Sequence, residues 1–431
     1  MGRYGGNAGE PVTADALAAL TLPPADWRNR EGLDALTEVL GADEGLCRFV
    51  GGAVRDALLG IPVADLDIAT ALSPDEVIAR LRAAGIRVVP TGIEHGTVTA
   101  VLESGPVEVT TLRRDVSTDG RHATVAFTDD WREDAARRDF TMNALYADPK
   151  TGALFDYFGG LEDLAARRVR FIGDPLRRIA EDHLRILRFF RFLARFGDTP
   201  DAEGLAACTA RAKDLMALSR ERIRDELLKL LVARSAVEVV RLMLNHGIFE
   251  PVVPEITSAE MLARVARHEA LVGAVPDPIR RLAALLATDP ARADLIGARL
   301  KLSNAQRKRL MLASTGDGID APPALAYRIG REAAEDRLLL ADIDDAILSA
   351  GWRQLAGWDI PRLPISGGAL VARGLAKGPD VARALRAIED QWIAEAFPAG
   401  DRVEAIADAI VAQALSVPIK PNAASEGTGR E

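Results

Sequence analysis

The apolar pattern of this 431-residue chain changes period once, and that change limits the possible folds more than any other feature. From a first short apolar run at Arg48 to Val50 up to about residue 150, strand-like segments dominate: LDIAT, IRVVP, GTVTAVL, VEVTTL and the apolar part of NALYAD. One helical pattern interrupts them, at Asp75 to Ala84. After Gly160 the strand signals stop, and Ala/Leu/Arg-rich helical segments follow. The reading is α+β: a small mixed sheet in an N-terminal domain, then an all-helical remainder. The best-defined helix opens at "GDP", with Asp174 as cap and Pro175 in the first turn, runs with apolar spacing through Phe196, and stops at Gly197.

Composition narrows the class. No apolar run is long enough to span a bilayer, and the start MGRYGGNAGE has neither a signal-peptide core nor the Ser/Thr of a myristoylation motif at Gly6, so a cytoplasmic protein is expected. Cys47 and Cys208 are the only cysteines, which excludes a disulfide framework and a four-cysteine zinc site. The five histidines show no metal-ligand spacing, and no His-Asp dipeptide occurs. A net charge of −9 argues against indiscriminate coating of nucleic acid, so a polyanion site must be local. Residues 167–195 supply one: nine arginines and no lysine against Asp174, Glu181 and Asp182.

The stretch FVGGAVRDALLGIPVADLDIAT, residues 49–70, concentrates the chemistry. On a strand, Asp65 and Asp67 share one face while Leu66 and Ile68 point to the core. Two carboxylates aimed at one spot suit Mg2+, which keeps its other positions for water and substrate phosphates; two such ions about 4 Å apart can clamp an in-line phosphoryl displacement. Gly51 and Gly52 let backbone approach a triphosphate, and Arg55 adds a fixed positive charge. Either short motif alone is common in ordinary turns. The order strand, Gly-Gly-x-x-Arg-Asp, helix, Asp-x-Asp strand is specific, and no Gly-Lys-Ser/Thr phosphate loop competes with it.

On these residues the chain resembles the nucleotidyltransferase superfamily, and within it the class II tRNA nucleotidyltransferases (CCA-adding enzymes) and the bacterial poly(A) polymerases. Further blocks carry the resemblance over roughly residues 45–235: EHGTVTAVL, VEVTTLRRDVSTDGRHATVAFTDDW, RRDFTMNALYAD, LFDYFGGLEDL, RIAEDHLRILRFFRF and ERIRDELLKLL. The DGRHA block, taken as a charged loop, is of the kind found in CCA-adding enzymes of eukaryotes and alphaproteobacteria. The resemblance implies catalytic roles for Asp65, Asp67 and Glu108, with metal on the two aspartates. It implies nucleotide contacts from Gly51, Gly52, Arg55, Arg138, Asp182, Arg185, Arg188 and Arg191. Asp56, Asp139 and Asn143 are expected to brace the loops around them.

Asp182 and Arg185 are three apart on the helix that Asp174 caps, which makes their side chains neighbours. In isolation they would be an ordinary surface ion pair. Within this block they offer more: cytosine and adenine both show an amino donor beside a bare ring nitrogen, and a carboxylate next to a guanidinium accepts those two bases while leaving unpaired groups against G and U. Arg191, about 180° from Asp182 on an ideal helix, rests on the resemblance alone.

The resemblance thus implies template-independent addition of C, C and A to tRNA 3′ ends from CTP and ATP. The alternatives are a poly(A) polymerase, a CC-only or A-only enzyme, or a non-catalytic RNA-binding relative. The expected partners are tRNA, CTP and ATP, with no membrane and no evident protein partner. The expected division is a nucleotidyltransferase head at 25–150, a helical neck with the base-reading helix at 151–235, a tRNA-binding helical body at 236–330, a helical tail at 331–416 and a disordered end at 417–431.

Overall fold

A computed structural model describes residues 21–119, 122–287, 289–316, 319 and 321–416. Gly120 and Arg121 of the DGRHA block, the side chain of His122 and the last fifteen residues lie outside this set. The described residues form two compact units: one contains the chain up to Leu262 with Ala298–Leu302, the other Ala263–Gly297 with the chain from Ser303.

The first unit is built on a seven-stranded mixed sheet in the order β3-β4-β5-β2-β1-β8-β9. Its strands are β1 (Cys47–Val50), β2 (Asp67–Thr70), β3 (Arg87–Gly92), β4 (Thr97–Leu102), β5 (Gly105–Thr111), β8 (Leu145–Ala147) and β9 (Leu154–Asp156). Only β2 and β5 run parallel; the remaining pairs are antiparallel. The strand segments expected from alternation all lie in this sheet. Phe49, Ile68, Val98, Val107 and Val109 share one buried face of the sheet, Val50, Ala69 and Tyr146 are buried on the other, and this apolar burial drives the sheet together. Helices α1 (Leu33–Val39), α2 (Gly52–Leu58), α3 (Pro74–Ala83) and α4 (Trp131–Ala136) accompany the strands. The start of α3 is set by a capping box between Ser73 and Glu76.

The DGRHA block is not simply a loop. It joins β6 (Arg113–Asp119) to β7 (His122–Phe127), an antiparallel pair separate from the main sheet. Charged and hydroxyl residues mask the alternation in β6, whereas β7 carries Ala123, Val125 and Phe127 at alternate positions, a strand signal present in the sequence.

Past β9, Asp156 organises the FDYFGG turn: its carboxylate accepts from the amides of Phe158, Gly160 and Leu161 and so starts α5 (Gly160–Ala165). Glycine is required at 160 because a Cβ there would stand 2.4 Å from the Thr141 carbonyl oxygen. Strand pairing does not end at Gly160, since β10 (Arg168–Val169) runs parallel to β11 (Thr199–Pro200). No strand follows Pro200 among the described residues.

The helix expected from Asp174 to Phe196 is two helices. Asp174 caps and Pro175 opens the first, α6 (Pro175–Glu181), as expected. At Asp182 the backbone turns extended (φ −152°, ψ 108°), and α7 begins at Arg185 and ends at Phe196, with Gly197 beyond it. The break is local chemistry: Asp182 Oδ1 accepts from the Leu184 amide (3.1 Å), so a short polar side chain replaces helical backbone bonding. The apolar period runs through the break unchanged, which hides it from the pattern.

Helix α7 is anchored by its aromatics. Phe189 stacks on Phe171 (5.6 Å between centroids), and Phe140 from the segment after α4 contacts Phe171 and Phe192. Helices α8 (Ala202–Ala210), α9 (Arg220–Leu231) and α10 (Ala236–Asn245) continue the unit, and α9 and α10 pack on α7. In the second unit, Leu325, Leu338, Leu348 and Leu355 form one core and Leu370, Ile388, Ile406 and Val411 another. Arg280 is buried there between Glu269 (2.8 Å) and Asp336 (2.9 Å).

Candidate active site

The site begins at the turn between β1 and α2. Gly51 has φ 68° and ψ −121°, a conformation that L side chains rarely adopt, and a Cβ on it would lie 3.3 Å from Arg138 Nη1. Arg55, one turn into α2, is buried. It donates to Asp56 (2.7 Å) and to Asn143 Oδ1 (2.5 Å), and lies over Phe196 at 4.1 Å. Burial pulls its guanidinium below the usual arginine range, and Asp56 opposes this.

The acidic end lies across the parallel strand pair. Strand β2 starts at Asp67, so Asp65 stands just before it rather than on it. The face assignment is as expected: Leu66 and Ile68 are buried, Asp65 is exposed and Asp67 half-buried. Glu108, exposed between buried Val107 and Val109, is the register partner of Asp67. Burial raises the Asp67 carboxyl above its ordinary range, Glu108 and Asp65 add to the rise, and Arg138 opposes it. No ion pair reaches Asp65, Asp67 or Glu108 among the described residues. Nor do any three His, Cys, Asp or Glu side chains there stand close enough to cage a metal. The donor set nevertheless fits a hard divalent ion that takes one or two carboxylates and completes its shell with water and phosphate, because mutually repelling, unpaired oxygens are what such an ion relieves.

The basic end comes from the segment after α4 and from α7. Arg138 pairs with Asp134 (3.1 Å), which is also held by Arg137 (2.8 Å) and the Tyr146 hydroxyl (2.7 Å). Burial alone would raise the Asp134 carboxyl, but Arg138, Arg137 and Tyr146 outweigh it and hold it at about 2. Asp139 accepts from the Phe140 amide and Asn143 through Oδ1 and from Arg188 through Oδ2 (2.5 and 2.7 Å), the bracing expected of Asp139 and Asn143.

Asp182 and Arg185 do not pair with each other through their side chains. Asp182 Oδ2 accepts from Arg222 on α9 (2.8 Å), while Arg185 donates to Glu181 (2.6 Å) and to the carbonyl of Arg178 (2.8 Å). The break at Asp182 removes the helical neighbour relation on which a direct pairing depends.

Gly51, Gly52, Arg55, Asp67, Arg138, Asp182, Arg185 and Arg188 line one cavity of about 390 Å³. Asp65, Glu108 and Arg191 do not line it. Arg191 is instead committed to Glu226 (2.5 Å) and lies over Phe192, in keeping with its position away from Asp182. Sequence reasoning missed Arg137 and Phe192 in the wall and Asp134, Tyr146, Arg222 and Glu226 behind it. A signal for the last two existed in ERIRDEL, where Arg222 and Glu226 are four apart on one helix face.

Of the acidic end only Asp67 reaches this cavity, which is otherwise rich in arginine, with Arg185 and Arg188 set on α7. Residues 47–170 match the Poly A polymerase head domain family, and 199–260 match the family described as the probable RNA and SrmB-binding site of polymerase A. Over 383 residues the chain is 35% identical to the mitochondrial CCA tRNA nucleotidyltransferase 1 of Homo sapiens, covering 84% of this chain and 86% of that one. It is 30% identical to the CCA-adding enzyme of Limosilactobacillus fermentum, over 80% and 88% of the two chains. The crystal structure of the Bacillus stearothermophilus CCA-adding enzyme in complex with CTP superposes with a TM-score of 0.69 at 27% identity, covering 84% of this chain and 93% of that one. On these matches, which cover most of its length, the chain belongs to the CCA-adding tRNA nucleotidyltransferase family.

Proposed function

We propose that the protein appends C, C and A, without a template, to the 3′ end of tRNA from CTP and ATP, with release of pyrophosphate. The observation that carries this is one cavity lined by Asp67 together with Asp182, Arg185 and Arg188, on a chain that matches CCA-adding enzymes over most of its length. The family works with a divalent metal, and Mg2+ is the ion we assign to Asp65 and Asp67, with Glu108 in support. When bound, it would supply positive charge to the reacting oxygens and phosphates.

The remaining work falls to the chain's own residues. The tRNA 3′-hydroxyl oxygen attacks the α-phosphorus in line as its proton passes to water, the bond to the bridging oxygen breaks and pyrophosphate departs. Gly51 and Gly52 give the triphosphate room against backbone, while Arg55, Arg138 and Arg188 place positive charge along it. Asp182 accepts from the base amino group and Arg185 donates to the ring nitrogen, the combination that selects C and A. Arg191 would act only indirectly, through Glu226. Residues 25–150 would then serve as head, 151–235 as neck, 236–330 as tRNA-binding body and 331–416 as tail.

Cytoplasmic residence is our reading of the compartment. It is supported by two buried free cysteines, of which burial pushes the Cys47 thiol up to about 12. No helix among the described residues is long and apolar enough to cross a membrane.

The test is incubation with Mg2+, all four NTPs and a tRNA lacking its last three nucleotides. Product that stops after CCA is expected. An open-ended A tail, a stop after CC, or A added only to a tRNA ending in CC would select the other polymerases, and no incorporation would select a binding protein.

A further inference from the structure

We infer that Thr99 binds the 2′-hydroxyl of the 3′-terminal nucleotide of the tRNA and so places the neighbouring 3′-hydroxyl for attack. The inference rests on the reading of the site as one that extends tRNA 3′ ends. The nucleotide cavity lies to one side of Asp67. Its lining comes from the turn after β1 with the start of α2, the segment after α4, the break at Asp182 and α7, and no residue of β3, β4 or β5 reaches it. In the order β3-β4-β5-β2-β1, those three strands continue on the other side of Asp67. In-line displacement needs the attacking and leaving oxygens on opposite sides of the phosphorus. With the triphosphate among the arginines, the 3′-hydroxyl therefore comes in from the side of Glu108.

That side is a hydroxyl-bearing sheet face. Register puts Thr99 directly across from Glu108 and Thr97 across from Thr110, on the face opposite to buried Val98, Ala100, Val107 and Val109. Glu108 is exposed, and Thr97, Thr99 and Thr110 are half-buried. The hydroxyls stand in two couples, Thr91 with Thr99 (2.9 Å) and Thr97 with Thr110 (3.1 Å). Two hydroxyls hold two protons and spend one between them, so each couple keeps a donor and several lone pairs for a ligand. Cross-strand neighbours lie roughly 5 Å apart at Cβ, which puts the Thr99 hydroxyl within one ribose of a 3′ oxygen brought to Glu108. The 2′-hydroxyl, on the next ribose carbon, both donates and accepts, and it is the group that marks the strand as RNA. Neutral hydroxyls also suit a strand end that is lengthened three times, because they place no fixed charge that would hold one phosphate in one position.

The experiment uses the full-length protein with Mg2+ and CTP on tRNA that lacks its last three nucleotides and ends in either ribose or 2′-deoxyribose, and reads kcat/KM for the tRNA. The parent should prefer the ribose end by about fivefold, the scale of one hydrogen bond. Thr99→Val should lose about that factor on the ribose end, with KM for CTP unchanged, and lose nothing further on the deoxy end. Thr99→Ser keeps the hydroxyl and should retain the preference of the parent. A threonine couple that only ties β3 to β4 would give Thr99→Val the same loss on both ends, and that result overturns the proposal. So does a parent indifferent to the 2′-hydroxyl. Either outcome leaves CCA addition standing, whereas a parent that adds nothing to either end removes the functional reading and the Thr99 role with it.

Discussion

Asp67 and Glu108 are direct register partners across the only parallel pairing in the main sheet, and their charges repel. Antiparallel neighbours surround them, so this one parallel contact places a carboxylate from β5 beside the Asp-x-Asp stretch. Repelling carboxylates at a cavity edge are ready for a cation. Asp67→Ala should therefore lower single-turnover CMP incorporation by ~10³-fold or more, as expected when several kcal/mol of metal-borne stabilisation is lost. Filter binding of tRNA should be nearly unchanged. Loss of tRNA binding together with activity would mark Asp67 as structural instead.

The raised Asp67 pKa also predicts a pH-dependent stability. A carboxyl whose folded pKa lies above its unfolded value binds its proton more tightly in the native state, so the native state is penalised once the pH exceeds both values. Asp67→Asn removes that penalty. Its melting temperature at pH 7 without metal should exceed that of the parent, and the gain should vanish below the ordinary carboxylate range, where both forms are neutral. Mg2+ should raise the melting temperature of the parent and not of the variant, by binding linkage. A variant less stable than the parent at pH 7 would contradict the repulsion.

How much of this was legible depends on where each decision is made. The step from β1 through Gly51 to Asp67 could be read because alternation and a helix of a few residues are local properties, and buried Leu66 and Ile68 show the alternation directly. The break at Asp182 could not, because apolar spacing continues through it and part of what holds the residue is Arg222, forty positions away. The same holds for the partners of the arginines. Which carboxylate meets Arg185, Arg188 or Arg191 is a tertiary outcome, and an Arg-rich helix shows the charge without showing where it is spent. Asp134 was invisible for a further reason: at the end of a charged run it reads as a solvated helix face, yet the fold buries it.

That burial gives Asp134 a testable weight. Its folded pKa is depressed, so its stabilisation is present above the unfolded value and is lost as the pH falls towards about 2. Asp134→Asn should destabilise the protein by about 2 kcal/mol at neutral pH, the free energy equivalent of such a shift. Denaturant unfolding at pH 7 and near pH 3 checks this, with the difference between parent and variant shrinking at the lower pH. Arg138 would lose its anchor as well, so KM for CTP should rise in the same variant. An equal effect at both pH values would mean that packing, not charge, is responsible.

Arg185 offers the sharpest test of base reading. Its guanidinium can only donate, and a group that can only donate fits the bare ring nitrogen of cytosine or adenine while clashing with the ring N–H of uracil or guanine. Glutamine at 185 brings an amide that turns either end inward, and being neutral it avoids the repulsion a carboxylate would meet from Glu181, the present partner at 2.6 Å. With the amide oxygen inward, the ring N–H of uracil finds an acceptor. Arg185→Gln should therefore narrow the CTP-over-UTP ratio of kcat/KM by one to two orders of magnitude, roughly what one mismatched recognition hydrogen bond is worth in a desolvated site. Competition between CTP and UTP on a tRNA lacking CCA reads the ratio directly. If UTP remains as strongly rejected as in the parent, Arg185 does not face the base, and selection must lie with the backbone or with other side chains of the cavity wall.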